Sequence, residues 1–365
     1  MRVYDAKGTF GLGGVDDNYE DFNADVLFTH FDTWMGPARK KIPSMEVPYV
    51  SYVIVDHDPA PQAVVEQVNN AHEVIAMSEY AAEKLSQKGV RPLTIPHGVN
   101  TDVYRPLDKE EMPEEIAIQD EFNNTRTVNV NDEFIFGMIA ANHGDRKNIP
   151  NHLEAFKMFL DEVDDDAILY VHTKQNSNEG FKLESVMEEI GIPHENIMWP
   201  SDEDYGSVGN EYLNGWYNAF DVLLNVSMGE SWGLTITEAQ AAGTPCIVTN
   251  FTSMPEQLGV KPTNPESYID WLDNYKSSGK DVGLAPHGIV LEPDGQVWRE
   301  RVSSKQYITN PETILQGMKF YYHNTEMVES HGEAAREYVV ENYDWNNASL
   351  PKFRELFNSL ETIIG

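Results

Sequence analysis

Short apolar segments alternate with helical segments along most of this chain, and that alternation restricts the possible folds more than any other feature. Four strand-like segments come first, at residues 24–32, 47–56, 71–78 and 91–99. Six more follow, at residues 133–140, 167–173, 196–200, 221–227, 245–250 and 288–293. Strands that alternate with helices form parallel sheets covered by helices on both faces. We therefore predict an α/β protein with two doubly wound, Rossmann-like sheets, the second more complete than the first.

The boundary between the two runs is set by composition. Residues 106–131 are polar, acidic and poorly periodic, so we place the domain junction there. We expect an N-terminal domain over residues 1–115 and a C-terminal domain over residues 116–345. The last 70 residues predict helices only, with a break around Trp345.

Charge narrows the possible partners. Sixty acidic residues face 26 basic ones, which gives a net charge of −34, and the acids are scattered rather than grouped in a tail. No basic face is available to neutralise phosphates, so we expect no nucleic-acid partner and no broad binding to anionic lipid. Dispersed acidity of this size is typical of a halophilic protein, because about 1 M salt shortens the Debye length to about 3 Å. An ordinary acidic enzyme is the alternative.

The compartment is indicated by cysteine use and hydropathy. Cys246 is the only cysteine, so no disulfide can form within the chain. The opening residues, MRVYDAKGTFGLGG, lack the apolar core of a signal peptide, and no segment has the roughly 20 apolar residues of a membrane span. We expect a cytoplasmic protein, acting in solution or at the inner face of the membrane.

The segment SMGESWGLTITEAQAAGTPCIV, residues 227–248, contains the most informative motif. It follows a predicted strand and opens a helix near Gly233, where backbone N–H groups at a helix start stabilise an anion such as a phosphate. Glu230 and Glu238 stand eight positions apart on either side of that start. Carboxylates accept strongly from hydroxyls, so this pair predicts a grip on two polyols that flank a diphosphate.

These residues resemble a known family. Residues 229–248 are similar to the glutamate-seven-residues-glutamate signature of retaining glycosyltransferases of family four, which have the GT-B fold. The chain departs from that signature at Ser231, Trp232 and Cys246, where the family has glycine, phenylalanine and valine. Three more segments match in family order, and the resemblance covers roughly residues 24–365: IPHGVNTDVYRP (95–106), GMIAANHGDRKNIPNHLEAF (137–156) and WYNAFDVLLNVS (216–227).

The resemblance implies a role for each matched residue. Glu230 would contact the donor sugar and hold the transition state, while Lys147 and Arg146 would neutralise the diphosphate. Glu238 would bind the donor ribose. The rest of the implied donor site is Gly229, Ser231, Trp232, Gly233, Leu234 and Asn142. Asn142 and His143 stand where the family usually has an arginine, which weakens the implied diphosphate clamp unless Arg146 compensates.

The front of the chain is shorter than the family pattern. Roughly 60 to 100 residues of a full doubly wound domain are lacking before the first matched strand. Either the chain is a natural short form or its start codon lies upstream, and GTFGLGG (8–14) predicts a flexible loop. The final helix, within residues 346–365, is expected from the resemblance to cross back to the N-terminal domain.

Polar residues at the ends of the N-terminal strands are candidates for the acceptor side. Asp56, His57 and Asp58 follow one strand, and Asp32 lies at the end of another. A solvated turn fixed by prolines is an equally good interpretation of residues 56–58. Adjacent residues cannot all face one ion, so we expect no metal there.

The resemblance implies transfer of a sugar from a UDP-, GDP- or ADP-linked donor to a glycan or lipid-linked acceptor. We expect retention of configuration and no metal or other cofactor. A non-catalytic GT-B protein that binds a sugar or nucleotide is the alternative from another class. A sugar-nucleotide epimerase on a similar fold would lack the glutamate signature. A nicotinamide enzyme would need a glycine fingerprint after a first strand, and none is present.

Overall fold

The computed structural model describes residues 13–30, 42, 44–45, 47–108, 111, 115–119, 125–130, 132–200, 205, 208–260 and 282–364. The chain forms two compact units. The first contains residues 1–96, 297–306 and 350–365, and the second contains residues 97–296 and 307–349. The first unit's opening segment thus ends before the junction expected near residue 115.

The first unit is built on a four-stranded parallel sheet in the order β1-β2-β3-β4. Its strands are β1 (Leu27–His30), β2 (Tyr49–Val53), β3 (Glu73–Ala76) and β4 (Leu93–Thr94). Its helices in this part of the chain are α1 (Val15–Phe22), α2 (Gln62–Val68) and α3 (Glu79–Ser86). Ser78 caps α3 by accepting from the Ala81 N–H, as its position before the apolar run predicts. Each of the four predicted strand segments contains one of these strands.

The second unit begins with a small hairpin and continues with a large sheet. Its strands are β5 (Glu115–Gln119), β6 (Thr125–Asn129), β7 (Ile135–Ile139), β8 (Ile168–His172), β9 (Ile197–Met198), β10 (Val222–Asn225), β11 (Cys246–Thr249), β12 (Val282–Ala285) and β13 (Gly288–Leu291). Its helices are α4 (Ile149–Glu162), α5 (Leu183–Ile190), α6 (Asn210–Ala219), α7 (Leu234–Ala242), α8 (Met254–Gln257), α9 (Pro311–His323) and α10 (Thr325–Asn342). All six strands predicted here are present.

Strand order in the large sheet fixes where a ligand can bind. The seven strands run β12-β13-β11-β10-β7-β8-β9, and all neighbours are parallel except the β12–β13 pair. Counted from β7 and omitting β12, this is the 3-2-1-4-5-6 order of dinucleotide-binding Rossmann sheets. The order reverses between β7 and β10, so the loops that follow these two strands border the crevice in which such sheets bind ligands.

The core of the second unit explains why its elements pack as they do. Apolar side chains from the sheet interdigitate with α4 and α9, and the Phe136 and Phe159 rings lie 5.1 Å apart in an edge-on contact. Gly137 lies under the Phe220 ring, where a Cβ atom would come within 2.1 Å of the ring carbon Cδ2. A glycine inside β7 is therefore required by the close approach of this ring.

The expectation of helices only after residue 295 is wrong. Two strands, β14 (Gly295–Arg299) and β15 (Ser304–Ile308), form a hairpin before α9. Its outer residues belong to the first unit, where Asp58 and Lys305 exchange backbone hydrogen bonds of 3.0 and 2.9 Å. The strands have few apolar side chains, so they lack the apolar run that reveals the other strands, and their partner residue Asp58 is distant in sequence.

The end of the chain follows the predicted break. One turn of π-helix, Trp345–Ser349, separates α10 from the last helix, α11 (Leu350–Ile364). Within the first unit, the α11 residue Phe353 contacts the rings of Phe28 and Tyr52 at 6.1 and 5.6 Å. Residues 350–365 therefore complete the first unit.

Candidate functional site

The loop after β7 and the loop after β10 meet at the switch point of the large sheet. The Met228 N–H donates to the Arg146 carbonyl at 2.8 Å, so the two loops share a backbone hydrogen bond. The first loop brings Arg146 and Lys147, and the second brings Glu230. These are the three residues to which the resemblance assigns catalysis.

Glu230 forms ion pairs with both cations. Its carboxylate oxygens lie 2.8 Å from the Arg146 guanidinium and 2.5 Å from the Lys147 ammonium. The Glu230 side chain is buried, whereas 36% of Arg146 and 20% of Lys147 remain exposed. A buried charge requires such partners because desolvation is costly. The cations therefore stay accessible to an anionic ligand while the carboxylate lies beneath them.

The protonation state of Glu230 follows from these contacts. Burial by itself would raise the pKa of the carboxyl, but the charges of Arg146 and Lys147 and their hydrogen bonds outweigh it and lower the pKa to about 2. Glu230 is ionised at neutral pH. It can therefore accept from hydroxyl groups or stabilise positive charge.

The backbone around Glu230 is fixed by the loop that follows β11. The Glu230 N–H donates to Thr252 Oγ1 at 3.0 Å, and Ser253 Oγ donates to the Glu230 carbonyl at 3.0 Å. The neighbouring Gly229 carbonyl accepts from the Arg146 guanidinium at 2.7 Å. This segment is thus held in place before any ligand binds.

Ser231 and Trp232, the two departures from the family signature beside Glu230, are both buried. The Trp232 indole meets the Tyr343 ring edge-on, with centroids 4.8 Å apart. Among the residues that the structure describes, the Trp232 indole N–H has no hydrogen-bond partner. Trp232 contributes packing beneath the loop, and its burial does not by itself show a donor contact.

The start of α7 differs from the expectation of free N–H groups. The Gly233 N–H donates to Gln257 Oε1 at 3.1 Å, and the Gln257 amide donates back to the Gly233 carbonyl at 2.9 Å. A Cβ atom on Gly233 would come within 2.6 Å of the Ile236 side chain, so this position is tightly packed. Leu234, the first residue of α7, is 40% exposed. The Gly233 N–H is therefore already used within the protein.

Glu238 lies one turn into α7 and is held by tyrosines. The Tyr217 hydroxyl donates to its carboxylate at 2.7 Å, and Tyr104 forms a second hydrogen bond. Burial raises the pKa of Glu238, and the two tyrosine hydrogen bonds oppose that rise. Sequence reasoning missed both tyrosines. Tyr217 had a signal in the segment WYNAFDV, and Tyr104 lies in the matched segment 95–106.

Asn142 does not face an open site. Its amide donates to the carbonyls of Lys174 and Phe181 at 3.0 and 2.8 Å, and its oxygen accepts from the Phe181 N–H at 2.8 Å. The side chain is buried and anchors the loop after β8. His143 pairs with Glu179 at 2.9 Å on the surface. Neither residue replaces the arginine that the family usually has here.

The acceptor-side candidates belong to the first unit. The Asp56 carboxylate and the His57 ring lie 2.5 Å apart, and Asp58 pairs with Lys84, whose side chain is nearly buried. The Gln306 amide in β15 also contacts Asp56, at 3.4 Å. Asp58 is thus committed to an ion pair within the first unit. Asp32 and residues 8–12 of the segment GTFGLGG lie outside the described residues.

Comparison with known proteins finds a family model that matches the part of the chain around the switch point. Residues 120–263, which contain the switch-point loops, match the model of the family "Glycosyl transferases group 1". This group 1 segment therefore includes Arg146, Lys147, Glu230 and Glu238.

Curated relatives match only parts of their own lengths. An uncharacterized 41.2 kDa protein in the cps region of Klebsiella pneumoniae is 32% identical over 105 residues, which is 29% of this chain and 26% of that protein. An uncharacterized glycosyltransferase of Sulfolobus islandicus rod-shaped virus 1 is 25% identical over 203 residues, 54% of this chain and 55% of that protein. The chain thus spans about a quarter and about half of these two relatives.

Solved structures show the fold. The Anabaena protein HepE, in complex with UDP-glucose, superposes with a TM-score of 0.67 at 12% identity, covering 99% of this chain and 85% of HepE. The fold of the chain around the group 1 segment is accordingly GT-B, as the resemblance implies. Among the described helices, none is long and apolar enough to span a bilayer.

Proposed function

We propose that this protein is a retaining glycosyltransferase that moves a sugar from a nucleotide-sugar to an acceptor hydroxyl. One observation carries the proposal: a buried carboxylate, Glu230, is paired with two accessible cations at the switch point of a group 1 sheet. A diphosphate ester of a sugar has the complementary chemistry. It offers negative charge to the cations and hydroxyl groups to the carboxylate.

The donor diphosphate competes with Glu230 for the cations. Glu230 neutralises Arg146 and Lys147 through its two ion pairs. A bound diphosphate takes over that charge, so the Glu230 carboxylate becomes available to the sugar hydroxyls beside it. The complex of HepE with UDP-glucose supports UDP-linked sugars as the first donors to test, followed by GDP- and ADP-linked sugars.

The chemical step places charge where the cations lie. The bond between the sugar C1 and the phosphate oxygen breaks through a transition state like an oxocarbenium ion, and negative charge builds on the leaving diphosphate. Arg146 and Lys147 stabilise that charge at the position where it develops. The leaving phosphate oxygen takes the proton of the acceptor hydroxyl, which attacks C1 from the same face. Configuration is retained, and no metal is needed.

The nucleoside end of the donor lies toward α7. Glu238 accepts from the ribose hydroxyls through its carboxylate, while Tyr217 and Tyr104 hold the side chain in place. The acceptor is a glycan or a lipid-linked glycan, for which Asp56 and His57 are the candidate contacts. The protein acts in the cytoplasm.

A non-catalytic sugar or nucleotide binder is the second candidate, and one observation favours it. Asn142 stands where the family usually has an arginine, and its amide is fully used by the loop after β8. The diphosphate therefore meets fewer cations than in the family pattern. Such a protein would bind the donor without turning it over.

The test is to incubate the protein with UDP-, GDP- and ADP-linked sugars and a mixture of glycan and lipid-linked glycan acceptors, and to follow the anomeric protons by NMR as the donor is consumed. Retaining transfer predicts release of the nucleoside diphosphate and a first-formed product with the anomeric configuration of the donor. EDTA should leave the rate unchanged. The opposite anomer would overturn retention, and donor binding without consumption would establish the non-catalytic alternative.

A further inference from the structure

A buried histidine lies between the two loops of the candidate site. His152 is in the second turn of α4 and is 1% exposed. Histidine is rarely fully buried unless both ring nitrogens have partners. Its contacts therefore show what it holds together.

Each ring nitrogen has one backbone partner. His152 Nδ1 lies 2.9 Å from the Asn148 carbonyl, and His152 Nε2 accepts from the Val226 N–H at 3.1 Å. A carbonyl only accepts and an N–H only donates, so a single neutral tautomer, with the proton on Nδ1, satisfies both. Burial favours that neutral form by lowering the pKa of His152 to about 4, against the opposing hydrogen bond to Asn148.

Each partner lies at the root of a catalytic loop, which is the point where the loop joins the neighbouring helix or strand. Asn148 directly follows Lys147 and has a left-handed backbone, with φ of 55°. Val226 lies just beyond the end of β10 and leads into the segment that carries Glu230. The ring of His152 thus joins the turn after Lys147 to the root of the Glu230 loop.

Both loops have hydrogen bonds besides those to His152, and these lie at different points of each loop. The turn after Lys147 is also anchored from its other side, because the amides of Asn148 and Asn151 both donate to the Thr309 carbonyl, at 2.9 and 3.0 Å. At the root of the Glu230 loop, the Val226 N–H donates a hydrogen bond to His152 Nε2. Loss of the imidazole would therefore release the Val226 N–H at the start of the Glu230 loop, while the hydrogen bonds of Met228 and Glu230 further along the loop remain.

We propose that His152 is a positioning residue that sets the root of the Glu230 loop against the Arg146–Lys147 turn. The positioning role stands on the two contacts of the His152 ring, with the Asn148 carbonyl and the Val226 N–H. Its consequence for turnover rests on the proposed function. A leucine at this position would fill the space but would leave the Val226 N–H unpaired, so the loop would have to shift toward another partner.

The test compares three variants in the full chain. His152→Leu removes both hydrogen bonds, and His152→Gln keeps an acceptor near the position of Nε2. His331→Leu is the matched control, because His331 is also buried in the second unit and its Nδ1 bonds the Tyr321 hydroxyl at 2.8 Å. Hydrogen exchange of residues 222–233 is measured without ligand, and UDP affinity and UDP-glucose consumption are measured on the same samples.

His152→Leu should speed exchange of residues 222–233 by about tenfold or more, while His152→Gln stays close to wild type and His331→Leu leaves this segment unchanged. For turnover, His152→Leu should lower the rate of UDP-glucose consumption by about tenfold while the Kd for UDP changes by less than about threefold.

Unchanged exchange in His152→Leu, or equal acceleration in His331→Leu, would overturn the inference whatever the donor. If the wild-type protein neither bound UDP nor consumed UDP-glucose, these donors would be wrong in the proposed function. The exchange result would still decide the role of His152.

Discussion

At the scale of single residues, the proposed function gives the two glutamates, Glu230 and Glu238, different roles. Glu230→Gln removes the charge that pairs with Arg146 and Lys147. Transfer should fall by about a hundredfold or more, because the carboxylate that supports the transition state is lost. Nucleotide affinity should be equal or tighter, since the cations no longer have an internal anion. Initial rates and calorimetric titration with the donor nucleotide measure the two effects.

The matched variant is Glu238→Gln, since both glutamates lie in the same motif. This change should weaken nucleotide binding by about tenfold, because a carboxylate accepts more strongly than an amide from ribose hydroxyls. If Glu230→Gln lost nucleotide affinity and Glu238→Gln kept it, the two roles would be reversed.

His152 gives the protein a specific sensitivity to acid. The folded state holds His152 neutral down to about pH 4, whereas the unfolded chain takes up the proton near the ordinary value of 6.5. The unfolded state therefore binds more protons between these values, and stability falls as pH is lowered through this window, by up to about 3 kcal/mol. Urea unfolding at pH 7 and at about pH 4.5 measures this loss.

His152→Leu should lose less stability than wild type between the two pH values, because it lacks the titrating ring. Glu230, Glu238 and Asp221 titrate in both proteins, so the difference between them isolates His152. Equal losses in the two proteins would show that His152 takes up its proton over the same pH range in the folded and the unfolded chain.

At the scale of secondary-structure elements, two helical glycines should respond to alanine in opposite directions. Gly332 in α10 faces the end of α7, where a new Cβ would lie 2.1 Å from the Gly243 carbonyl oxygen. Gly332→Ala should therefore cost about 2 to 4 kcal/mol. Gly215 in α6 has no atom within 4 Å of such a Cβ, so Gly215→Ala should stabilise by about 0.5 to 1 kcal/mol.

Denaturant midpoints of the two variants measure this pair. A Gly332→Ala protein as stable as wild type would mean that α10 does not pack on the end of α7 as the structure has it. The pair of substitutions controls for helix propensity, because both replace a helical glycine with alanine.

Elements with an apolar run were predictable from sequence, and those fixed by distant partners were not. The strands β7 to β11 are recognisable in the sequence as apolar segments, such as ILYVH in β8. The β14–β15 hairpin does not, because Gly295–Arg299 is polar and its outer part bonds residues near Asp58.

The same distinction holds within the site. The glutamate signature pointed to Glu230 and the matched segment 137–156 pointed to Arg146 and Lys147, because each lies in a loop that follows a strand of the switch point. The hydrogen bond from the Gly233 N–H to Gln257 joins residues 24 positions apart, and Asn142 spends its amide on residues near 180. Nothing in the local pattern around Gly233 or Asn142 reveals such a partner.

At the scale of the whole molecule, the net charge of −34 predicts stabilisation by salt. Self-repulsion opposes the folded state, and it is screened when the Debye length falls from about 10 Å at 0.1 M to about 3 Å at 1 M. The melting temperature should rise by about 5 to 10 °C between 0.1 and 2 M KCl. Scanning calorimetry over a KCl series measures it.

The control for this prediction is a second series at about pH 5, nearer the sequence pI of 4.5, where repulsion is weaker. The rise with KCl should shrink there. A melting temperature that is flat in KCl at pH 7 would contradict the view that dispersed acidity limits stability at low salt.

We expect the cations at the switch point to bind the diphosphate of a nucleotide, and a thermal-shift screen of UDP, GDP and ADP in molar KCl measures this binding. A nucleotide present at about 100 times its Kd adds about 2.7 kcal/mol, which raises the melting temperature by several degrees.

Two lysines in ion pairs of 2.5 Å serve as variant and control: Lys147 with Glu230 at the site, and Lys157 with Asp161 on the surface of α4. The account predicts that one nucleotide shifts the wild type and Lys157→Met alike and shifts Lys147→Met little or not at all. A shift that survives in Lys147→Met, or no shift with any of the three nucleotides, would contradict it.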